Sequence, residues 1–198
     1  MYKRQNYEFG WKTISKDGQL RFNGSAFMVD VAGLQSTIFD PSIVNLFFSD
    51  NAADAEIKGV EGDFTYFTDV EGLSVAGAFS FLDTEITKKL VPTDDVIVGE
   101  ELAFAPGVQA NVRVRQEFAM SAGYVGHVQA QFTYSDESFS DIMEPNKARQ
   151  AGYSYIDLRA GMTNDDITAE LYIDNVTDER AEISLSLIHI SEPTRLTS

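Results

Sequence analysis

The sequence predicts an all-β fold, an open, antiparallel, up-and-down segment of a transmembrane β-barrel with about eight strands. Three observations carry this. Apolar and polar residues alternate over stretches longer than a soluble strand needs, and short turns alternate with long polar connections. No run of roughly eighteen apolar residues exists to make a spanning helix. The stretch from Asn51 to Thr87 shows the pattern best. Lys58, Val60, Gly62, Phe64 and Tyr66 fall on one face of its first arm, with Ile57, Gly59, Glu61, Asp63 and Thr65 on the other. After a tight turn at 69–72, Leu73, Val75, Gly77, Phe79 and Phe81 continue the apolar face and Ser74, Ala76, Ala78 and Ser80 the opposite one.

The remaining elements follow in order. Tyr7, Phe9 and Trp11 share a face against Glu8, Gly10 and Lys12, and Asp17-Gly18 supplies a turn with access to positive φ. Leu20, Phe22, Gly24, Ala26 and Met28 then alternate with Arg21, Asn23 and Ser25, until the phase blurs near Phe27. Residues 32–53 read as a long connection with Asp40-Pro41 and an apolar run from Ile43 to Phe48, and 88–103 as a second, acidic one. Val108, Ala110, Val112 and Val114 oppose Gln109, Asn111, Arg113 and Arg115, and a turn at 119–122 returns the chain. Gly126, Val128, Ala130, Phe132 and Tyr134 oppose His127, Gln129, Gln131 and Thr133. A third long connection, 135–152, leads to Ile156, Leu158, Ala160 and Met162 against Tyr155, Asp157 and Arg159. After a turn at 164–166, the last strand, 167–176, sets Ile167, Ala169, Leu171 and Ile173 against Thr168, Glu170, Tyr172 and Asp174. An outer-membrane barrel produces such an order, with tight turns on the periplasmic side and long loops outside.

Composition narrows the function classes. Fifteen basic against thirty-one acidic residues leave a net charge of −16, which repels nucleic acid. The absence of cysteine removes disulfides, thiolate metal sites and cysteine nucleophiles. Met1 is followed by Tyr2-Lys3-Arg4-Gln5-Asn6 and not by an apolar signal core, so the expectation is that the true start lies upstream. At the other end, LSLIHISEPTR from Leu185 breaks every preceding pattern. Back-translated, it resembles a transposase adapter used in sequencing libraries. Residues 1–184 are therefore read as the barrel unit and 185–198 as a non-native tail that replaces the natural C-terminus.

Six stretches in series resemble the C-terminal part of the β-barrel of a TonB-dependent outer-membrane receptor. They are NYEFGWKT with the Asp17-Gly18 turn, GSAFMVDVAGLQ, NAADAEIKGVEGDFTY followed by VEGLSVAGAFSFLDTEIT, LAFAPGVQANVRVRQEF, YSYIDLRAGM and ELYIDNVTDER, which together cover most of residues 6–180. The resemblance implies a barrel of about 22 strands around an N-terminal plug in the outer membrane of a Gram-negative bacterium. It further implies uptake of a scarce ligand such as an iron-siderophore complex, energised through TonB by way of the plug. The partners implied are outer-membrane lipid and lipopolysaccharide, the TonB complex and a small-molecule ligand. The alternative is a small autonomous eight-stranded barrel acting as an anchor or adhesin, which needs the first and last strands to pair. A soluble carbohydrate-binding sandwich needs shorter strands. The receptor reading expects residues 2–13 and 167–176 to present unpaired edges.

No enzymatic site is expected, and neither a cofactor nor a metal is called for. Glu61 and Asp63 lie about 7 Å apart along one strand, which polar lining explains as well as paired catalytic carboxylates do. Glu8, Lys12, Glu61, Asp63, Arg113, Arg115, Asp157, Arg159, Glu170 and Asp174 all take the polar phase, the pattern of a lumen laced with cross-strand ion pairs. Asp94, Asp95, Glu100 and Glu101 lack the spacing of a calcium loop and read as a solvated outer loop. Lumen-facing His127, Arg113, Arg115, Asp157 and Arg159 are the candidate ligand contacts. His127 has no second histidine in the patterned part of the chain with which to build a metal site.

Overall fold

The computed structural model describes residues 3–40 and 46–183. Eight strands form one antiparallel sheet in the order β1 (Lys3–Ile14), β2 (Leu20–Asp40), β3 (Leu46–Phe67), β4 (Leu73–Lys89), β5 (Val108–Ala119), β6 (Val125–Ser135), β9 (Tyr153–Thr163) and β10 (Thr168–Ile173). Two short strands, β7 (Ser138–Phe139) and β8 (Arg149–Gln150), pair with each other inside the connection between β6 and β9. The meander is open. Its end strands β1 and β10 do not pair, so the small closed barrel loses its requirement and both expected edges are present.

The register puts every apolar phase on one face. Phe22, Phe64, Gly77, Val112, Phe132 and Ile156 stand side by side across six strands. This face is bare: Phe9 is 72% and Leu171 81% exposed, and only a hydrocarbon environment accepts so many uncovered large side chains. Aromatic rings from Phe9, Trp11 and Phe22 run along it at successive centroid distances of 6.2 Å. The apolar character ends where Lys58 pairs with Asp83, and Glu56 with Glu85, on the same outward face. That charged row marks the upper limit of the band.

The four short turns form where the sequence places them. At 15–18 the Gly18 N–H donates to the Ser15 carbonyl at 2.9 Å with φ +76°. Ser15 Oγ and the Gln19 N–H both donate to Asp17 and hold its carboxyl below the usual carboxylate range. At 70–73 the Leu73 N–H donates to Val70 O at 3.0 Å. A single turn of 3-10 helix, Ser121–Gly123, joins β5 to β6, and Asn164 N–H donates to Ile167 O at 2.9 Å between β9 and β10.

Two expectations need correction. The connection read at 32–53 is largely strand, because β2 continues to Asp40 and β3 starts at Leu46. Register shifts between Val31 and Leu34 and between Leu34 and Gln35 exchange the faces there, and Gly33 takes φ +75° while its N–H donates to Asp54 Oδ1 at 2.9 Å. A bulge destroys the alternation without ending the ladder, so the pattern vanished while the strand went on. With 21 and 22 residues these strands are about twice the length needed to span, and the excess stands beyond the membrane. Of the apolar run 43–48, residues 43–45 lie outside the described residues. The last strand is the second correction: β10 ends at Ile173, because Asn175 turns to φ +54° and the Val176 N–H is taken by Ile156 O at 2.8 Å.

Candidate functional site

The polar face is the concave one. It lines a hollow of about 960 Å³ walled by two inward-facing rows in register. Asn23, Asp63, Ala78, Asn111 and Thr133 form the lower row, and Ser25, Glu61, Ser80, Gln109, Ser135 and Tyr153 the upper one. Glu8 and Lys12 close the side at β1. Glu61 accepts from Ser25 Oγ at 3.3 Å and Asp63 from Asn23 Nδ2 at 3.0 Å. Both partners are neutral donors, which orient the two carboxylates. Tyr153 and Tyr155 stack with centroids 6.3 Å apart and planes within 10°. The Thr133 hydroxyl is buried in this wall without a hydrogen-bond partner.

Nearer the short turns the inner face becomes a self-satisfied lattice. Arg115 Nε donates to Glu117 Oε1 at 2.9 Å and Nη1 to Gln129 Oε1 at 3.4 Å. His127, only 6% exposed, meets Glu170 Oε2 through Nε2 at 3.0 Å. Arg159 reaches the other oxygen of Glu170 at 3.5 Å and Asp174 at 4.0 Å. Asp157 accepts the Asn175 N–H at 2.8 Å and ties the chain after β10 to β9. Among the sequence candidates, His127, Arg115, Asp157 and Arg159 thus share the inner face and are engaged within it. None of these, nor Arg113, lies among the residues lining the hollow.

The expected ion-pair lattice therefore forms only in this lower zone. Glu61 and Asp63 bind neutral donors instead of cations, because the register places Ser25 and Asn23 opposite them. Sequence reasoning passed over Asn111, Thr133, Gln109 and the two tyrosines. The same alternation that placed His127 inward also places them, but uncharged residues drew no attention.

Above the hollow the inner face turns apolar, which the sequence did not reveal. Val31, Ala52, Ala53, Ala55 and Ile86 of the strand extensions pack with Val96 and Leu102 of the β4–β5 connection and with Ile142 and Met143 of the β6–β9 connection. The two connections also bond each other. Glu144 N–H donates to Asp95 O and Phe104 N–H to Phe139 O, both at 2.8 Å. Lys147 clasps them, with its ammonium on Glu100 and Glu144 and 4.5 Å from the centre of the Phe139 ring. Asp94 pairs with Lys89, and Asp95 accepts from Thr93, so the acidic loop residues have local partners. Among the described residues no three acidic or histidine side chains converge as a metal site.

Burial pulls the Lys147 ammonium down, and its hydrogen bonds to Glu100 and Glu144 outweigh that, leaving its pKa above the ordinary 10.5. Folding raises this pKa, so the clasp contributes fully below 10.5 and is lost as pH climbs through the higher folded value. Lys147→Met is expected to lower the unfolding temperature of the loop unit at neutral pH, and the deficit relative to the unaltered protein is expected to hold up to pH 10.5 and to shrink as pH rises beyond it. Calorimetry across that range checks it, and a deficit independent of pH counts against the clasp.

Comparison with known proteins adds the following. The family model for TonB dependent receptor-like β-barrels matches residues 2–176. No curated protein sequence matches the chain. Among solved structures, it is similar to the ferric yersiniabactin uptake receptor FyuA from Yersinia pestis, with a TM-score of 0.72 and 18% identity over 92% of this chain and 26% of that one. The siderophore receptor PiuA from Acinetobacter baumannii gives a TM-score of 0.69 and 21% identity over 91% of this chain and 25% of that one. The ferric preacinetobactin receptor BauA, also from Acinetobacter baumannii, gives 0.64 and 19% over 89% and 25%. The chain thus spans about a quarter of the length of these structures. At such identities the likeness shows the fold.

Proposed function

Since the chain belongs to the TonB-dependent receptor β-barrel family of the Gram-negative outer membrane, we propose that it forms the C-terminal wall of a receptor that takes up a scarce small-molecule ligand, an iron-siderophore complex in the first instance. The observation that carries the reading is the two-faced sheet: an outward apolar face fit for lipid and an inward polar hollow of about 960 Å³ beneath a folded pair of outer loops. A wall built this way admits ligand from the loop side and meets the rest of the barrel at β1 and β10. TonB energises release by way of a plug encoded outside this segment. Residues 185–198 belong to no part of this machine and are adapter-derived in this reading.

The test uses the intact receptor, obtained by reading outward from both ends of the source DNA. Cells expressing it under iron limitation are expected to accumulate radiolabelled iron chelates, and an uncoupler of the proton gradient is expected to abolish accumulation at least tenfold. Accumulation that persists without a proton gradient, or no accumulation of any iron chelate, sinks the proposal.

A further inference from the structure

We propose that a groove on the lipid-facing side of β5, β6, β9 and β10 seats an acyl chain of a phospholipid from the periplasmic leaflet, independently of the ligand that the receptor takes up. The groove holds about 470 Å³. Register sets Val114, Ala130, Leu158 and Ile173 side by side in one outward row, and Val128, Ala160 and Leu171 in the next row towards the short turns. The two alanines, the shortest of these side chains, form the floor and the others the walls. Gln116 also lines the groove, but its amide is engaged by the carbonyls of Glu71 and Glu117, at 2.9 and 2.7 Å. The floor strands β6 and β9 have both of their sheet neighbours in place, and the groove faces away from the barrel interior, so its shape is set by this chain.

Elsewhere the lipid face fills its own gaps. The Trp11 indole lies over Gly24, and the rings of Phe79, Phe64 and Phe118 lie over Gly62, Gly77 and Gly126, each so close that an added Cβ would strike it. Gly77 and Gly126 are buried in consequence. Ala130 and Ala160 are exposed instead, because the apolar residues beside them are aliphatic and no ring reaches across. An apolar gap without partner atoms forfeits its dispersion contacts, and a thin, flexible hydrocarbon chain is the neighbour that restores them. Position then selects the leaflet. Phe118, Gly126, Met162 and Ala169 make the outward row next to the short turns. The two rows of the groove follow at about 7 and 14 Å along the strands. In an apolar band about 25 Å tall, crossed by tilted strands, that depth is the half on the periplasmic side, where phospholipid and not lipopolysaccharide supplies the hydrocarbon.

The intact receptor is reconstituted in asymmetric bilayers, with lipid A in the leaflet on the loop side and phosphatidylethanolamine in the other. One lipid at a time carries a diazirine in the middle of an acyl chain, and adducts formed on illumination are mapped by mass spectrometry. Labelled phosphatidylethanolamine is expected to mark peptides of β6 and β9 at least fivefold more than those of β3 and β4. The double variant A130F/A160F fills the groove and is expected to cut that labelling at least fivefold while labelling of β3 and β4 stays the same. Phenylalanine on this face meets hydrocarbon, so the fold is expected to hold, and the milder A160L is expected to halve the labelling. Even labelling over the whole lipid face, or labelling unchanged in both variants, overturns the proposal. So does stronger labelling of the groove by lipid A, or adducts there that join two receptor copies. Iron accumulation by the same variants is read separately, so loss of the acyl-chain seat leaves the receptor reading standing, and failure of uptake leaves the seat.

Discussion

Gly72→Asn is expected to destabilise the barrel wall by about 3 kcal/mol, whereas Gly18→Asn costs less than about 1 kcal/mol. Both glycines sit in short turns with φ +76°, a conformation that asparagine tolerates better than other side chains. The backbone requirement is therefore the same at the two sites. Their surroundings differ. A Cβ at Gly18 meets nothing within 4 Å, while one at Gly72 runs into the Glu117 carbonyl of the neighbouring strand, with the Gln116 amide 3.0 Å away. That approach is fixed by the Glu117 N–H donating to Gly72 O at 2.8 Å and the Gln116 amide to Glu71 O at 2.9 Å. The turn has to lie flat against β5, and a side chain pushes it off. Chemical unfolding of the two variants of the intact receptor in detergent gives the comparison directly, and equal losses would show that conformation alone matters at both turns.

Ile86→Ala is expected to cost about 2 to 4 kcal/mol, felt in the outer loops and not in the membrane band. Ile86 is the large side chain that is fully buried among the described residues, at the centre of the cluster joining Val96 and Leu102 of one connection to Ile142 and Met143 of the other. Its backbone also holds the first connection, its N–H donating to Glu100 O at 2.8 Å and its carbonyl accepting from Gly99 at 2.9 Å. Removing its branched side chain leaves a void where the two loops meet the strand extensions. Hydrogen exchange should then rise together across residues 90–107 and 136–152, while amides of β5 and β6 keep their protection. Loss of protection in only one connection would mean that the loops are independent, and the shared cluster incidental.

How much of this was legible beforehand follows from where period-two alternation survives. It survives wherever a strand meets lipid on one side and polar lumen on the other. The faces of Tyr7 to Trp11, Val60 to Tyr66, Val108 to Val114 and Gly126 to Tyr134 were readable from the sequence for that reason, and all fall on one face of the sheet. The turns at Asp17-Gly18 and Gly72 carried their own local signal. Beyond the charged row at Lys58 and Asp83 the environment changes. There the inward face is covered by loops and turns apolar, as at Val31, Ala55 and Ile86, and the bulge at Gly33 interrupts the phase. Alternation then carries no information, and strand was mistaken for loop.

The candidate contacts show the same division. Charge and phase were enough to put His127, Arg115 and Arg159 on the inner face. Arg115 meets Glu117 two residues along its own strand, but the commitment of His127 and Arg159 to Glu170 and Asp174 depends on register between strands, which is a non-local quantity. The sequence alone determined the fold class, the direction of the polar face and the order of turns and loops, because each is set by neighbours along the chain. Tertiary structure alone decided which inward residues satisfy one another and which are left facing the hollow, because that depends on residues brought opposite by hydrogen-bonded pairing across strands and on loops packed over them.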